Sequence, residues 1–364
     1  MIAAMHREVA SNEAPSPAIA PNWKLEWRDS FTQVGALLEF LQLDAADFTD
    51  ALALDGAATF PLRVPLSFAA RMAKADPHDP LLAQVLPKMA ERLAAVNFVS
   101  DPVNDLQHTT SVGVIHKYRS RVLLIAAGTC AVNCRYCFRR EFPYAQASLS
   151  ASALADAVRY IAAHAEINEV ILSGGDPLAL DNLKLARMAD ALLALPQIKR
   201  LRVHTRTPIV LPARIDAEFL HWTAGLKVPL VIVLHSNHAN EWLDETLLNS
   251  MRALKRAGVT LLNQAVLLRG VNDSAKVQVA LSEALFAAGV LPYYLNLLDP
   301  VAGSAHFEVS EMQAQQIYRQ MAAALPGFLL PKLVRDVSGL DAKQLQGLQP
   351  VQPLYLARDA AEVS

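Results

Sequence analysis

Three cysteines, Cys130, Cys134 and Cys137, lie within eight consecutive residues, and the 364-residue chain contains no other. Their spacing is CxxxCxxC. A closed zinc site needs four ligands, usually from two separated pairs. Three thiols from one loop instead match a 4Fe-4S cluster in which three irons are bound by protein and the fourth stays open. The spacing therefore favours a cluster whose open iron binds a ligand, with a structural zinc site or three buried thiols as alternatives.

The amino-acid composition argues against a nucleic-acid-binding protein and against a membrane-spanning one. The chain has 33 Lys and Arg against 35 Asp and Glu, a net charge of −2, so no basic excess indicates binding to nucleic acid or to an anionic membrane. Hydrophobic residues make up 53% of the chain, but no uninterrupted run of about 18 apolar residues predicts a membrane span. Three clustered cysteines offer no disulfide framework, and residues 1–10 contain no apolar signal segment. We expect a cytoplasmic protein.

After about residue 100 the chain alternates short apolar runs with amphipathic helical patterns. The helical spacing is clear in Leu154, Val158 and Ile161, for example. Repeated β-α units predict an α/β fold with a parallel sheet, either open or curled into part of a barrel. The six runs that we interpret as strands are residues 122–126, 170–172, 201–204, 231–234, 261–267 and 293–297.

Polar and Gly-rich residues follow these predicted strands. Cys130 follows the first strand, Asp299 follows the sixth, and residues 173–176, 204–206 and 235–238 follow the second, third and fourth. Because parallel strands end at the same edge of a sheet, chemistry is expected there. One rim of the sheet should therefore collect the candidate functional groups.

The sequence also predicts four regions along the chain. Residues 11–22 are rich in Pro, Ala and Ser, and we predict a flexible arm over residues 1–22. Residues 23–105 predict a helical N-terminal region, residues 106–300 the barrel, and residues 301–364 a C-terminal segment that closes the site.

The CxxxCxxC loop after a first strand resembles the signature of the radical S-adenosylmethionine (SAM) enzymes. In that superfamily the open iron binds the amino and carboxylate groups of SAM, and an electron cleaves SAM to a 5′-deoxyadenosyl radical. The loop of Ser173, Gly174, Gly175 and Asp176 is similar to the superfamily's GGE or GGD element, which lies against the methionine amino group. A Gly-Gly pair usually does no more than form a turn. This pair follows the cysteines by one β-α unit, which is where the superfamily has its element. The resemblance implies a partial (β/α)6 TIM-like barrel.

Further segments resemble the lysine 2,3-aminomutases over roughly residues 60–343. They are residues 116–124, 137–140, 206–212, 235–241, 263–273 and 292–299. Within that family, residues 60–65 and 79–86 look most like the branch that makes (R)-β-lysine for the modification of elongation factor P. The resemblance therefore implies an isomerase acting on L-lysine.

The resemblance also implies a second organic cofactor, pyridoxal 5′-phosphate (PLP), carried by a lysine. Moving an amino group from the α to the β carbon breaks an unactivated C–H bond, which no general base can do at a plausible pKa. A radical can break it, and PLP supplies the π system through which the nitrogen migrates. The family's PLP lysine lies twelve residues after a proline that matches Pro331, which points to Lys343. Gln344 and Leu345 replace the family's Thr-Pro after it, and Lys332 is the alternative.

The resemblance assigns residues to the two ends of the substrate. Arg139, just after the last cysteine, would pair with the α-carboxylate, as a guanidinium does well. Asp299 and Asp336 stand at the two family positions that bind the ε-ammonium. Two carboxylates there would select lysine over uncharged or acidic side chains. Capping or loop aspartates are the simpler alternative.

Five further residues are candidates for cofactor contacts. Tyr118 and Arg121, before the first predicted strand, would hold PLP, and His235, His238 and Gln264, at later strand ends, would face SAM. A hydrogen-bonded histidine in the core or at the rim is the alternative for both histidines, since a metal pair would lack further ligands.

We therefore expect a lysine 2,3-aminomutase that uses a 4Fe-4S cluster, SAM and PLP. An electron donor such as flavodoxin or ferredoxin would reduce it, and elongation factor P with its lysyl ligase would use the product. A catabolic or biosynthetic aminomutase acting on lysine or another amino acid is the nearest alternative. A non-enzymatic iron-sulfur protein for electron transfer or sensing is the alternative of another class, but it would not need the Gly-Gly-Asp loop, Arg139 or Asp299. A zinc-stabilised binding module is a third.

Overall fold

A computed structural model describes residues 22–55, 60–147 and 149–347 of the chain. The predicted N-terminal arm, residues 1–22, lies outside these ranges except for Asn22, and so do residues 348–364 of the predicted C-terminal segment. Among the described helices, none is long and apolar enough to cross a membrane.

The N-terminal region forms short helices that pack against the cysteine loop. The helices are α1 (Trp23–Arg28), α2 (Val34–Phe40), α3 (Thr49–Ala53) and α4 (Leu66–Ala69). Leu37, Leu38 and Phe68 form a buried cluster that includes Ala131 and Val132 of the cysteine loop. Burial of these side chains ties the N-terminal region to the loop that carries the thiols.

The described strands form one sheet in which strand order follows chain order. The strands β3 to β9 run parallel, while β1, β2 and β3 pair antiparallel at one edge and β10 pairs antiparallel with β9 at the other. The strands are β1 (Thr109–Ser111), β2 (Val114–Tyr118), β3 (Arg121–Ala127), β4 (Glu169–Gly174), β5 (Arg200–Thr205), β6 (Leu230–His235), β7 (Thr260–Val266), β8 (Leu291–Asn296), β9 (Lys332–Arg335) and β10 (Gln344–Leu345).

Helices connect the parallel strands and cover the outer face of the sheet. Six of them begin at a Ser or Asp whose side chain accepts a hydrogen bond from a backbone N–H of the first turn, as Ser150 and Asp244 do. The helices are α5 (Tyr144–Ala147), α6 (Ala151–Ala162), α7 (Asn182–Leu193), α8 (Thr207–Val210), α9 (Ala217–Ala224), α10 (Glu245–Arg256), α11 (Ala275–Ala287) and α12 (Glu311–Ala324).

The six predicted strands are confirmed as β3 to β8, and the fold is the expected partial α/β barrel. The structure adds a seventh parallel strand, β9, in the part of the chain that we assigned only to a closing segment. This strand has four residues and charged residues at both ends, so it shows no apolar run in the sequence.

The two faces of the sheet have different chemistry, as β5 illustrates. Leu201 and Val203 are fully buried in the main hydrophobic core under the helices. Arg202 and His204 alternate with them and face the interior of the barrel, where they line a cavity. The same alternation on neighbouring strands places polar side chains inside the barrel.

Candidate active site

A cavity of about 570 Å³ opens at the carboxyl ends of the parallel strands. Its wall includes the three cysteines and most of the candidate site residues. Those predicted residues are Tyr118, Arg121, Cys130, Cys134, Cys137, Arg139, Ser173, Gly174, Gly175, Asp176, His235, Gln264, Asp299, Asp336 and Lys343. The structure thus brings together residues from β2 to the β9–β10 hairpin.

The Gly-Gly pair at the end of β4 lets two backbones approach closely. Gly175 N–H donates to Ala127 O (2.7 Å), and Asp176 N–H donates to Thr129 O (2.9 Å). A Cβ at Gly175 would lie 2.6 Å from Thr129 O, and Gly174 has a φ of +114° that L side chains rarely adopt. Only glycine fits both positions, and this contact holds the start of the cysteine loop against β4.

The three thiols face the cavity and are free of disulfides. Burial raises the pKa of Cys130 well above that of a free thiol, and burial raises the pKa of Cys137 to about 11. Three thiolates this close together therefore need a compensating positive charge, which a metal cluster supplies.

The spacing of the donors bears on which metal group they could hold. Among the residues that the structure describes, no three His, Cys, Asp or Glu side chains are arranged around a single metal ion. A cubane cluster binds each thiolate through a different iron, so its cysteines do not converge on one point. Three soft donors from one loop, facing a cavity, fit a cluster with one open iron.

Asp176 ties the end of β4 to the end of β5. Its carboxylate accepts hydrogen bonds from Thr205 Oγ1 and from the backbone N–H groups of Arg206, Thr207 and Leu178, at 2.7 to 2.9 Å. Burial raises the pKa of Asp176, and these hydrogen bonds oppose the shift. The side chain lines the cavity, but both of its oxygens accept hydrogen bonds from protein groups.

Arg206, at the end of β5, is a functional candidate to which the sequence alone assigned no role. Its guanidinium Nη1 lies 3.1 Å from Cys134 Sγ and also contacts the Tyr136 hydroxyl. Its Nη2 donates to Gln84 Oε1 (2.9 Å) and Glu241 Oε2 (3.2 Å). The only sequence signal was its place after the third predicted strand, and the partner cysteine is 72 residues away.

Arg139 is buried and already has a carboxylate partner. Its Nε donates to Asp105 Oδ2 (2.7 Å), and its Nη1 donates to Ser173 Oγ (3.2 Å). Lys117 Nζ binds the other oxygen of Asp105 at 2.6 Å. Burial alone would raise the pKa of Asp105, but Arg139 and Lys117 hold it below its usual range. Neither Asp105, which orients the guanidinium, nor Lys117, which binds Asp105, was predicted from the sequence.

The two carboxylates predicted for the ε-ammonium, Asp299 and Asp336, line the cavity together with Lys343. Lys343 Nζ donates to Asp336 Oδ2 at 3.0 Å. Burial raises the pKa of Asp299 to about 6, with Lys343 opposing the shift and Asp336 adding to it. Lys332, the alternative PLP lysine, lines the same cavity from the start of β9.

The predicted PLP contacts, Tyr118 and Arg121, lie on the same side of the cavity. The Arg121 guanidinium is 4.1 Å from the centroid of the Tyr118 ring. Burial raises the pKa of Tyr118 to about 12, and Asp336 adds to the shift. Tyr118 is therefore a neutral hydrogen-bond donor at physiological pH.

The three residues predicted to face SAM have different surroundings. The Gln264 amide nitrogen donates to His235 Nε2 at 2.8 Å, and burial lowers the pKa of His235 to about 3, so this imidazole is neutral. His238 does not line the cavity. Its Nδ1 accepts from Asn240 N–H (3.1 Å) and caps a 3-10 turn, which is the alternative that we considered for it.

His204, on β5, also lines the cavity but was not predicted as a site residue. Its ring lies 5.9 Å from that of His235, and its buried Nε2 has no hydrogen-bond partner among the described residues. Burial lowers the pKa of His204 well below its ordinary value, and His235 contributes. The floor of the cavity is thus lined by neutral imidazoles.

Comparisons with known proteins agree with this geometry. Residues 124–280 match the Radical SAM superfamily. The L-lysine 2,3-aminomutase of Escherichia coli (strain K12) is 47% identical over 328 residues, which cover 90% of this chain and 95% of that protein. The L-lysine 2,3-aminomutase of Haemophilus influenzae is 43% identical over 89% of this chain and 95% of that protein.

The alignment with a more distant relative covers a smaller share of that relative's length. The L-lysine 2,3-aminomutase of Clostridium subterminale is 33% identical over 282 residues, which cover 77% of this chain and 66% of that protein.

Proposed function

The chain belongs to the lysine 2,3-aminomutase family of radical SAM isomerases, and on that premise we propose that it converts L-lysine to (R)-β-lysine for the modification of elongation factor P. Radical SAM enzymes use a 4Fe-4S cluster and SAM. The proposal adds PLP as the third cofactor, the (R) configuration of the product and the link to elongation factor P with its lysyl ligase. The support for that branch is the resemblance of residues 60–65 and 79–86.

One observation carries the choice of substrate: the Asp336 carboxylate already binds an alkylammonium, that of Lys343, at 3.0 Å. Asp299 lines the same cavity, near enough for the charges of Lys343 and Asp336 to act on it. A free lysine whose ε-ammonium replaced that of Lys343 would meet two carboxylates there. Arg139 lines the same cavity and would bind the α-carboxylate. A cation near one end and two carboxylates at the other suit a diamino acid better than an uncharged or acidic one.

The PLP assignment uses residues from both edges of the sheet. Lys343 would carry the cofactor, while Arg121 would bind its phosphate and Tyr118 would donate a hydrogen bond. When bound, PLP supplies the π system that lets nitrogen pass between neighbouring carbons. The Asp105 and Arg139 pair lies in the same cavity and would orient the substrate carboxylate.

The cluster and SAM would occupy the opposite side. Cys130, Cys134 and Cys137 would bind three irons. Residues 173–176, His235 and Gln264 line the cavity on that side and are the proposed contacts of SAM, which supplies the hydrogen-abstracting radical when it is bound and reduced. Two neutral imidazoles, of His204 and His235, place no additional positive charge beside a sulfonium.

The proposal also assigns roles to the regions of the chain and to an electron donor. The predicted closing segment, residues 301–364, contributes β9 to the sheet and would deliver Lys343 to the cavity of the barrel, whose other parallel strands lie within residues 106–300 after the region at residues 23–105. A cytoplasmic electron donor, flavodoxin or ferredoxin, would reduce the cluster.

Anaerobic reconstitution tests the proposal directly. The chain would be loaded with iron, sulfide and PLP, then given dithionite, SAM and L-lysine, and the product would be separated on a chiral column. We expect (R)-β-lysine, and none from C134S, which lacks a cluster ligand. Absence of β-lysine from a chain with a full, reducible cluster contradicts the activity.

The elongation factor P assignment needs a second measurement. The product, supplied with ATP and the lysyl ligase, should add one β-lysyl mass to elongation factor P. Formation of (S)-β-lysine alone would remove this assignment and leave the aminomutase activity in place.

A further inference from the structure

Arg206 directs a charged hydrogen-bond donor at one cysteine of the cluster loop. Its Nη1 lies 3.1 Å from Cys134 Sγ, within the range of a hydrogen bond to sulfur. Arg139 acts on Cys130, and Arg139 and Arg140 act on Cys137, through the attraction of their charges and not through a side-chain hydrogen bond within the described residues. The contact therefore makes the three thiols electrostatically unequal.

The guanidinium is held rigidly in this position. Arg206 is only 5% exposed, while Gln84 and Glu241, which bind its Nη2, are fully buried. The rings of Phe68 and Tyr136 flank it at 5.4 and 5.6 Å. Its Nε has no hydrogen-bond partner among the described residues, but a guanidinium held at both terminal nitrogens and packed between two rings loses little further conformational entropy in keeping its orientation.

The backbone of Arg206 is fixed as well. Its N–H donates to Asp176 Oδ2 at 2.7 Å, and Asp176 belongs to the loop that packs against the start of the cysteine loop. Asp176 thus links the end of β4 to the end of β5 through its carboxylate and to the cysteine loop through its backbone N–H. The distance from the guanidinium to Cys134 is determined by this scaffold and not by a flexible surface contact.

We propose that Arg206 is a positioning residue that tunes the iron-sulfur cluster: its guanidinium donates to the Cys134 thiolate and stabilises the one-electron-reduced cluster. Reduction takes one electron from an external reductant, here dithionite, and neither breaks nor forms a bond to Arg206. The added negative charge spreads over the sulfurs, including Cys134 Sγ. A fixed cation about 3 Å away in a buried site lowers the energy of that state, and hydrogen bonds to the sulfurs are known to set cluster potentials.

Replacement of Arg206 should therefore change the reduction potential of the reconstituted cluster. Because this role rests on the proposed cluster at the three cysteines, the iron content of each protein is measured first. The midpoint potential is then followed by EPR during titration with dithionite, without SAM or lysine. We expect R206Q to shift the potential to more negative values and R206K, which keeps the charge but loses the planar fork, to shift it less.

Arg214 provides a matched control. It is fully buried, donates to Leu178 O (2.7 Å) and Leu180 O (3.0 Å), and makes no contact with a cysteine. R214Q therefore removes an equally buried guanidinium from the neighbouring turn, and it should lower thermal stability without shifting the potential of the cluster that it retains.

The possible outcomes distinguish an effect of Arg206 on the cluster potential from a purely structural role of this residue. A potential in R206Q equal to that of the wild type, or a positive shift, overturns the inference. Failure of both R206Q and R206K to hold iron, while R214Q holds it, also overturns it, because the role would then be structural only. A wild-type chain with a reducible cluster that makes no β-lysine contradicts the proposed function alone, since the potentials are measured without substrate.

Discussion

The Nζ atom of Lys343 lies 3.0 Å from Oδ2 of Asp336, across the turn that joins β9 to β10. The antiparallel register pairs Gln344 with Arg335, which brings the next residues of the two strands together. The side chains are 26% and 18% exposed, so the pair lies at the mouth of the cavity and not on open surface. If Lys343 carried PLP, its nitrogen would be part of that link, and the Asp336 carboxylate would be open to the ε-ammonium of an arriving lysine.

Replacing Lys343 by Ala should abolish attachment of PLP. We expect activity to fall by about a thousandfold or more, as for loss of a residue that forms the covalent link. Borohydride reduction and peptide mapping should then find the pyridoxyl group on Lys343 in the wild type and nowhere in the variant.

Lys332→Ala is the matched control, because Lys332 lines the same cavity. It should keep the pyridoxyl label at Lys343. A label at Lys332 in the wild-type chain would reverse the assignment.

Replacing Asp336 by Asn keeps the shape of the side chain and removes its charge. A hydrogen bond to a charged group contributes about 1.5–3 kcal/mol, so kcat/KM for lysine should fall roughly ten- to hundredfold. The preference for lysine over norleucine, which lacks the ammonium, should fall by a similar factor. Asp341→Asn, an exposed carboxylate in the same turn, should change neither value, and an unaltered preference in Asp336→Asn would exclude the assigned role.

Activity should rise with pH through about 6 because burial raises the pKa of Asp299 to that value. Below pH 6 the carboxyl is neutral and attracts the ε-ammonium less strongly, while above it the carboxylate is charged. Lys343, Asp336, Lys117 and Asp105 are the charged groups that act on it. This rising limb of the pH profile should appear in kcat/KM, which reports the pKa values of groups in the free enzyme. It should vanish in Asp299→Asn. Persistence of the limb in that variant would assign it to another group.

The raised pKa of Asp299 has the opposite effect on stability: the free energy of unfolding should fall as the pH rises, whereas activity should rise. The folded chain holds the proton on Asp299 up to about pH 6, whereas an unfolded aspartate loses it near pH 4. The contribution of this group to the free energy of unfolding is therefore complete below about pH 4 and falls as the pH rises to 6. Urea unfolding of wild type and Asp299→Asn across this range should show the difference.

Replacing Gly175 by Ala should weaken the cluster site. The new Cβ would lie 2.6 Å from Thr129 O and 2.7 Å from Thr129 N, so the backbone of the cysteine loop must move, at a cost of about 1–3 kcal/mol. We expect a lower iron content and a lower Tm. Gly225→Ala is the control, because its Cβ would meet nothing closer than 3.5 Å. Equal iron contents in the two variants would show that the close approach at Gly175 is not needed for the cluster.

The sequence alone determined the chemistry of the cysteine loop and the order of six strands. Both are local signals: three thiols in eight residues, and short apolar runs that alternate with amphipathic helical patterns and are buried under the helices. The glycines at 174 and 175 were also recognised from their place after a strand, although the carbonyl that excludes a Cβ at Gly175 was visible only in the structure.

Only the tertiary structure decided the contacts between residues far apart in the chain. Arg206 meets Cys134, and Asp105 meets Arg139, because parallel strands and the N-terminal region bring them to one cavity. His238 falls outside the cavity because its imidazole caps the turn that follows it. Spacing in a sequence indicates which residues share a strand, a helix or a loop. The contacts of Arg206, Arg139 and His238 depend instead on how the strands pair and which side chains they bury. A single sequence carries no local pattern for such contacts.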